Sequence, residues 1–406
     1  LDGGDAPAAD SDEEEEAIAD HARVVFRGHT DAVYCVALSG DGRLVATGGG
    51  DDMAFVFNRE TGEQVAALAG HTDSVNDVAF NHDNTLVATG CLDATVKVWS
   101  VASGELLTTL EGPGEDIEWV DFHPRGNVLV AGSADMTTWM WDATTSKCLQ
   151  VFAGHESRVT CGSFIPSGRR VITSGGDGDA TCKVWDPKTG VCETTFGGHG
   201  WHERDTSINV LACATDSPLV MTGAQDGTAR IANYKTKKIV GALVHAVPLS
   251  AAEAVAAVGG DLGEDEEEPE AGAGGGEPEE DDGLEAGFVS VEGVGFAKTH
   301  TWVATGGSDG VIKVWDLGTL SCRHAMKQEQ GVVKLAWHPT LPLIITSSVD
   351  GTAYVWDARD GSRVAHLTGH ADATMDMATG FPEAGAAVLV TCNDDMTARV
   401  FDVPVE

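Results

Sequence analysis

Strand-sized apolar runs recur along the whole chain, and none is long enough to cross a membrane as a helix. The most regular of them ends with an aromatic or small apolar residue between an aliphatic and a polar one. The endings are Val56-Phe57-Asn58, Val98-Trp99-Ser100, Met140-Trp141-Asp142, Val184-Trp185-Asp186, Ile231-Ala232-Asn233, Val314-Trp315-Asp316, Val355-Trp356-Asp357 and Val400-Phe401-Asp402. Their central positions lie 42, 42, 44, 47, 83, 41 and 45 residues apart. A period near 42 is that of a four-stranded propeller blade, too small to bury its own apolar faces and stable only when stacked. The long gap holds one ordinary repeat plus a low-complexity stretch, 246–287, rich in Ala, Gly, Pro and Glu. That composition buries too little apolar surface to fold, so disorder is expected there and the count stays at eight blades.

Each repeat places an Asp six residues before its central position: Asp51, Asp93, Asp135, Asp179, Asp226, Asp309, Asp350 and Asp395. An Asp at a tight turn between strands bonds nearby backbone through its side chain. Most repeats have a Thr four residues earlier, and Gly-His pairs open several, at His29, His71, His155, His199 and His370. In these features the chain resembles the WD-repeat family. The resemblance implies an all-β, single eight-bladed WD40-type β-propeller, pinned by tetrads such as His71, Thr89, Asp93 and Trp99. Blade three has Gly112-Pro113-Gly114 in place of Gly-His, and blade seven also lacks the His, so both are expected to be looser. The apolar run Ala22–Phe26 precedes the first Gly-His, and its strand is expected to close the ring by pairing with the last blade, leaving no open sheet edge at the seam. The expected organisation is an acidic disordered tail at 1–21 and a propeller at 22–406, interrupted at 246–287.

Charge changes the picture most. The chain has 64 acidic and 25 basic residues, a net charge of −39. Nine acids lie in Leu1–Asp20 and thirteen in Asp261–Glu285, but the remainder is still strongly acidic. Such a field attracts basic partners and repels nucleic acid and anionic membranes. The first residues lack the basic and apolar regions of a signal peptide, and with no initial Met the chain is expected to be trimmed from a longer one. Nine cysteines without CxxC spacing read as free thiols in a reducing compartment, so the cytoplasm is expected, with the nucleus open as a second address.

Catalytic motifs fail on context. Gly306-Gly307-Ser308-Asp309-Gly310 matches G-x-S-x-G, but it sits at a repeated turn between strands rather than at a strand-to-helix elbow. Asp177 and Asp179 suggest a calcium loop, yet its required Gly and later ligands are missing. There is no P-loop and no HExxH, so no enzyme, cofactor or metal is expected. Ser11, just before Asp12–Glu16, suits an acidophilic kinase.

Aligning the inner strands on the V-x-x-V-x-F pattern puts one residue per blade at the mouth: Tyr34, Asn76, Glu118, Thr160, Asn209, Glu292, Val333 and Met375. Asp116, Arg158 and the turn residue Asp394 join this rim, and Trp201 lies in a lengthened polar loop beside it. The partner site is therefore assigned to Tyr34, Asn76, Asp116, Glu118, Arg158, Trp201, Asn209, Glu292, Met375 and Asp394, with Trp201 able to pack on its own blade instead.

Thr47–Phe57, Thr85–Gly90 and above all Glu118–Trp141 (EWVDFHPRGNVLVAGSADMTTWMW) resemble the family of the angio-associated migratory cell protein and its fungal counterpart, a dedicated ribosomal-protein chaperone. That resemblance implies a monomeric escort for a newly made basic large-subunit ribosomal protein of the universal L-sixteen class. The partner is thus expected to be a basic protein, with neither nucleic acid nor membrane bound directly. A signalling or trafficking scaffold in cell migration is the alternative. A ubiquitin-ligase substrate receptor ranks last, because receptors of phosphorylated degrons need Arg-rich mouths and this one has only Arg158.

Overall fold

The structure, a computed structural model, describes residues 19–198, 200–202, 206–246, 289–381 and 387–404. Among them thirty-two strands, β1 to β32 in chain order, form eight four-stranded antiparallel sheets, and there is no helix. Seven blades are built from four consecutive strands. The eighth takes β30 (Thr374–Gly380), β31 (Ala387–Asn393) and β32 (Ala398–Val403) and is completed by β1 (Val24–Phe26). Each inner strand packs on the next, and β30 returns to the first inner strand, Val33–Leu38, so the ring is closed.

The expected seam is observed. Val24, Val25 and Phe26 pair with Val400, Arg399 and Ala398. The Phe26 ring stacks on Phe57 at 4.3 Å, inside a cluster that also holds Val390 and Val400. One boundary moves: the tail expected to end at residue 21 is already docked from Ala19. His21 N–H donates to the Thr368 carbonyl at 2.9 Å, Thr368 N–H donates back to His21 Nδ1 at 3.1 Å, and the Arg399 guanidinium pairs with Asp20. Buried Arg399 needs an anion, and Asp20 supplies one. The expected disorder of residues 1–18 and of the acidic insert beyond Ala246 lies outside the described residues, as does Ser11.

Between blades the core is a stack of buried aromatic and aliphatic side chains. Trp99, Trp141, Phe57 and Phe401 are all nearly inaccessible. Trp119 fills the seam between blades three and four. Its Nε1 donates to the Val159 carbonyl at 3.0 Å, and its ring covers Gly132 and Gly162. A methyl group on Gly132 would come within 2.1 Å of the indole, and one on Gly162 within 2.3 Å. Two glycines are the space this tryptophan occupies.

Candidate functional site

In blade two the His71 Nδ1 lies 2.9 Å from Asp93, its Nε2 2.7 Å from Thr89 Oγ1, and Trp99 Nε1 donates to the same hydroxyl at 2.9 Å. Trp can only donate, so the Thr89 hydroxyl accepts from it and gives its own hydrogen to Nε2; the His proton is then on Nδ1, facing Asp93. Burial lowers the His71 pKa, against Asp93, which keeps the ring neutral. Burial would raise the Asp93 pKa, yet bonds from Thr95 and His71 hold it well below the usual carboxylate range. Cys91 brings a third ligand-type atom within 4.8 Å of His71 and Asp93, but its thiol already donates to the Asp73 carbonyl. The cluster is a fastener for the blade.

The same fastener recurs at His29, His155 and His370 with their Thr and Asp partners. In blade five it is built on His202, bonded to Thr222 and Asp226, and not on His199, which lies outside the described residues. Blade six uses His245, 2.7 Å from Thr305. Blade seven substitutes buried Gln328, whose Oε1 accepts from Thr346 at 2.8 Å. In blade three the Trp139 ring, stacked on Trp141 at 5.9 Å, lies where a methyl on Gly112 would be 2.5 Å away. Blade seven thus has a substitute for the His, whereas Trp139 of blade three donates to Thr137.

The eight aligned mouth residues share a backbone cause. In every inner strand the pairing register slips between its first and third residues, at Val33/Cys35, Val75/Asp77, Ile117/Trp119, Val159/Cys161, Ile208/Val210, Val291/Gly293, Val332/Lys334 and Thr374/Asp376. The skipped residue is a β-bulge, unpaired in the ladder and free to aim its side chain elsewhere. Tyr34, Asn76, Glu118, Thr160, Asn209, Glu292, Val333 and Met375 are those eight residues.

They are not equally available. Asn76 Nδ2 donates to the Ile117 and Glu118 carbonyls, Thr160 Oγ1 donates to the Ile208 carbonyl at 2.6 Å, and Asn209 Nδ2 donates to Glu292 at 3.0 Å. These four ring residues, Glu292 included, join neighbouring blades. Glu118 stands 3.8 Å from Arg158, which also faces Asp177 at 3.8 Å. Burial raises the Glu118 pKa, with Arg158 opposing. Trp201 is not a rim contact: it is 3% exposed, stacked on Phe196 and against His202. The lengthened loop folds it under the fastener of its own blade. Tyr34, Val333 and Met375, from the consecutive blades one, seven and eight, form a partly exposed apolar sector beside a concavity of about 510 Å³ lined by Glu292 and Val349.

Around this ring lies an acidic belt that the one-residue-per-blade alignment did not reveal. Asp31, Asp73, Glu115, Asp116, Glu156, Asp177, Glu329, Asp372 and Asp394 are exposed in the loops of this face, against Arg27, Arg158 and Lys327. Met136 and Met396 hold left-handed φ values of 69° and 62° where blades five to seven have Gly227, Gly310 and Gly351, and both are 46% exposed. A non-glycine residue there costs about 1 kcal/mol, and these two add apolar contacts to the belt.

Below the mouth, three carboxylates tie inner strands together: Asp77 accepts from Val120 N–H at 2.7 Å, Asp121 from Phe164 N–H at 2.8 Å and Asp376 from Val36 N–H at 3.1 Å. Burial pushes Asp77 and Asp121 up to about 7 against those donors. A folded pKa above the unfolded value means that the charged form costs stability once pH rises through about 7, and that this cost disappears towards pH 4. Asp77→Asn and Asp121→Asn should therefore stabilise the protein at pH 8, with the gain shrinking at pH 5.5. Three pKa units would be about 4 kcal/mol for a sealed site; half-burial beside the axial opening reduces that to about 1 kcal/mol each. The lowered pKa values of buried His29, His71, His155, His202 and His370 act oppositely, favouring unfolding below about pH 6.5, but they are common to all variants. Denaturant melts at both pH values check this, and an equal gain at each would exclude it.

The model of the WD domain, G-beta repeat, matches residues 22–58, 62–100, 104–142, 146–186, 190–233, 286–316 and 320–357. The chain belongs to the WD-repeat family. Its curated relatives include the human angio-associated migratory cell protein, 34% identical over 245 residues, which are 60% of this chain and 49% of that protein. The chain thus spans about half the length of these relatives. Mouse transducin beta-like protein 3 is 37% identical over 107 residues, 26% of this chain and 13% of that one. Among solved structures, Saccharomyces cerevisiae Sqt1 superposes with a TM-score of 0.78 at 20% identity, over 95% of this chain and all of the other. Chaetomium thermophilum Sqt1, bound to the N-terminus of the ribosomal protein L10, gives 0.75 at 20% identity, with 95% and 100% covered. At that identity the likeness is one of WD-repeat fold.

Proposed function

We propose that this propeller is a binding protein whose acidic mouth captures a basic segment of a newly made large-subunit ribosomal protein in the cytoplasm and shields it until assembly. The observation that carries the reading is the mouth itself: a belt of exposed carboxylates around an apolar sector of Tyr34, Val333 and Met375. Carboxylates draw a cationic segment in from a distance, and the desolvated contacts hold it. RNA, with its dense phosphates, then competes for the segment at the assembly site. The fold shared with Sqt1, one of whose structures holds the N-terminus of L10, supports this choice of client.

The two parts of the mouth should fail differently. Asp73→Lys with Asp116→Lys should slow association several-fold and flatten the salt dependence, since exposed pairs steer more than they hold. Tyr34→Ala should mainly speed dissociation, by about thirtyfold for an anchor of ~2 kcal/mol, and leave the salt slope alone. Binding kinetics with a peptide from the N-terminus of L10 at two salt concentrations measure both. Wild-type affinity that does not weaken with salt would sink the mechanism. Recovery of signalling proteins or ligase subunits from cell extract, instead of a basic ribosomal protein, would replace it.

A further inference from the structure

The face opposite the mouth carries charge of the opposite sign across blades three to six, and we infer that it binds single-stranded RNA. The inference is independent of what the mouth holds. At its centre a groove of about 470 Å³ between blades four and five is lined by Arg169, Arg170, Lys235, Lys237 and Tyr234. A second concavity of about 400 Å³ shares residues 214–217 with it and continues to Lys298, His300 and Trp302. The track extends at both ends. Arg125 donates to the Ser167 carbonyl at the rim of the groove, and the Arg323 guanidinium lies 4.7 Å from the centre of the Trp302 ring.

Seven cations lie along this path; Glu193 and Asp216 line its concavities, and Asp316 faces Arg323 at its end. Glu193 is already held by Arg170 Nε at 2.5 Å, with Lys237 on its carbonyl. In a chain of 64 acids and 25 bases this is a strong local inversion. The repeats supply their own control: corresponding turns between the last two strands carry Arg59, Glu60 and Glu63 in blade one and Glu105 in blade two, but Lys235, Lys237 and Lys238 in blade five. Whole-chain charge argued against nucleic acid, but it averages over an acidic mouth and a basic sector of the far face.

The aromatic groups decide between polyanions. His300 is exposed and stacks on Trp302 at 4.1 Å, and half-exposed Tyr234 sits in the groove wall. Planar faces interleaved with cations suit unstacked bases on a phosphodiester backbone. Acidic side chains offer carboxylates but no ring to stack, and a duplex keeps its bases covered.

The test is fluorescence anisotropy of a labelled oligouridine with the full chain at low salt. Arg169→Glu, Lys235→Glu and Lys237→Glu together should weaken binding by about tenfold or more, since each cation meets phosphate. His300→Ala should weaken it several-fold through lost stacking. Reversing exposed Arg43 and Arg363, on other blades, should change little, and melting curves confirm that all variants are folded. No binding by the wild-type protein, or unchanged binding by the triple variant, would overturn the inference. Displacement of oligouridine by polyglutamate as readily as by unlabelled RNA would also overturn it, in favour of an acidic protein partner.

Discussion

Deleting residues 1–26 should cost several kcal/mol of stability, whereas deleting 1–18 should leave the melting transition nearly in place. The larger deletion removes β1 and with it buried Val24 and Phe26. Burial of each such side chain is worth about 1.5–3 kcal/mol, and the Phe26–Phe57 stack adds about 0.5–1.5. It also strips β32 of its outer partner and leaves the last blade one strand short of the other seven. The smaller deletion stops before Ala19, so Asp20 still pairs with Arg399 and His21 with Thr368. Deletion through Asp20 should fall between the two, costing about 1 kcal/mol, because Arg399 loses its nearest anion while half-exposed Asp20 is partly screened. Thermal and denaturant melts of the three proteins rank them. Equal stability of the parent and the 1–26 deletion would show that β1 does not close the ring.

Trp119→Ala should destabilise the propeller by about 3–5 kcal/mol, the range for emptying a buried tryptophan site. The Val159 carbonyl would lose its donor as well. Gly132→Ala should cost about 1–3 kcal/mol alone, as overpacking does, because its new methyl meets the indole at 2.1 Å. The three closest atoms to that methyl all belong to Trp119, so in the Trp119→Ala background the Gly132→Ala cost should vanish. A double-mutant cycle on denaturant unfolding measures this, and additive costs would mean that ring and glycine do not share the space.

The eight-blade count was legible because the strand endings and turn aspartates repeat in register, and the seam because an apolar run precedes the first Gly-His. The fasteners were harder. Gly-His is a frequent way to place a buried side chain against the Thr hydroxyl, but the site needs only a hydrogen-bonding group of the right reach. His202 follows Trp, His245 follows Val, and Gln328 is not a histidine, so a dipeptide search passes over all three. The mouth column was found from spacing alone, since the bulge falls at the second residue of every inner strand. What those residues do was not: Asn76, Thr160 and Asn209 are spent on neighbouring blades, and no spacing shows that. Trp201 misled because its sequence neighbours are polar, while its ring turns under them onto Phe196. The inverted charge of the far face was hidden for a similar reason. Its cations come from turns of separate repeats and meet only when the ring is built.

The seam has a consequence in time as well as in energy. Val24 pairs with Val400, so β1 waits for β32. At about 5–20 residues per second of synthesis, that interval is roughly 20–75 s. Throughout it, β1 has no partner strand, and the side of the first blade that packs on the last has no native neighbour. Blades two to seven can fold as they emerge, but the ring locks only once β32 has been made. A protein read here as guarding another during its synthesis thus has its own interval of exposure, set by topology and lengthened by every residue inserted between the two halves of its clasp.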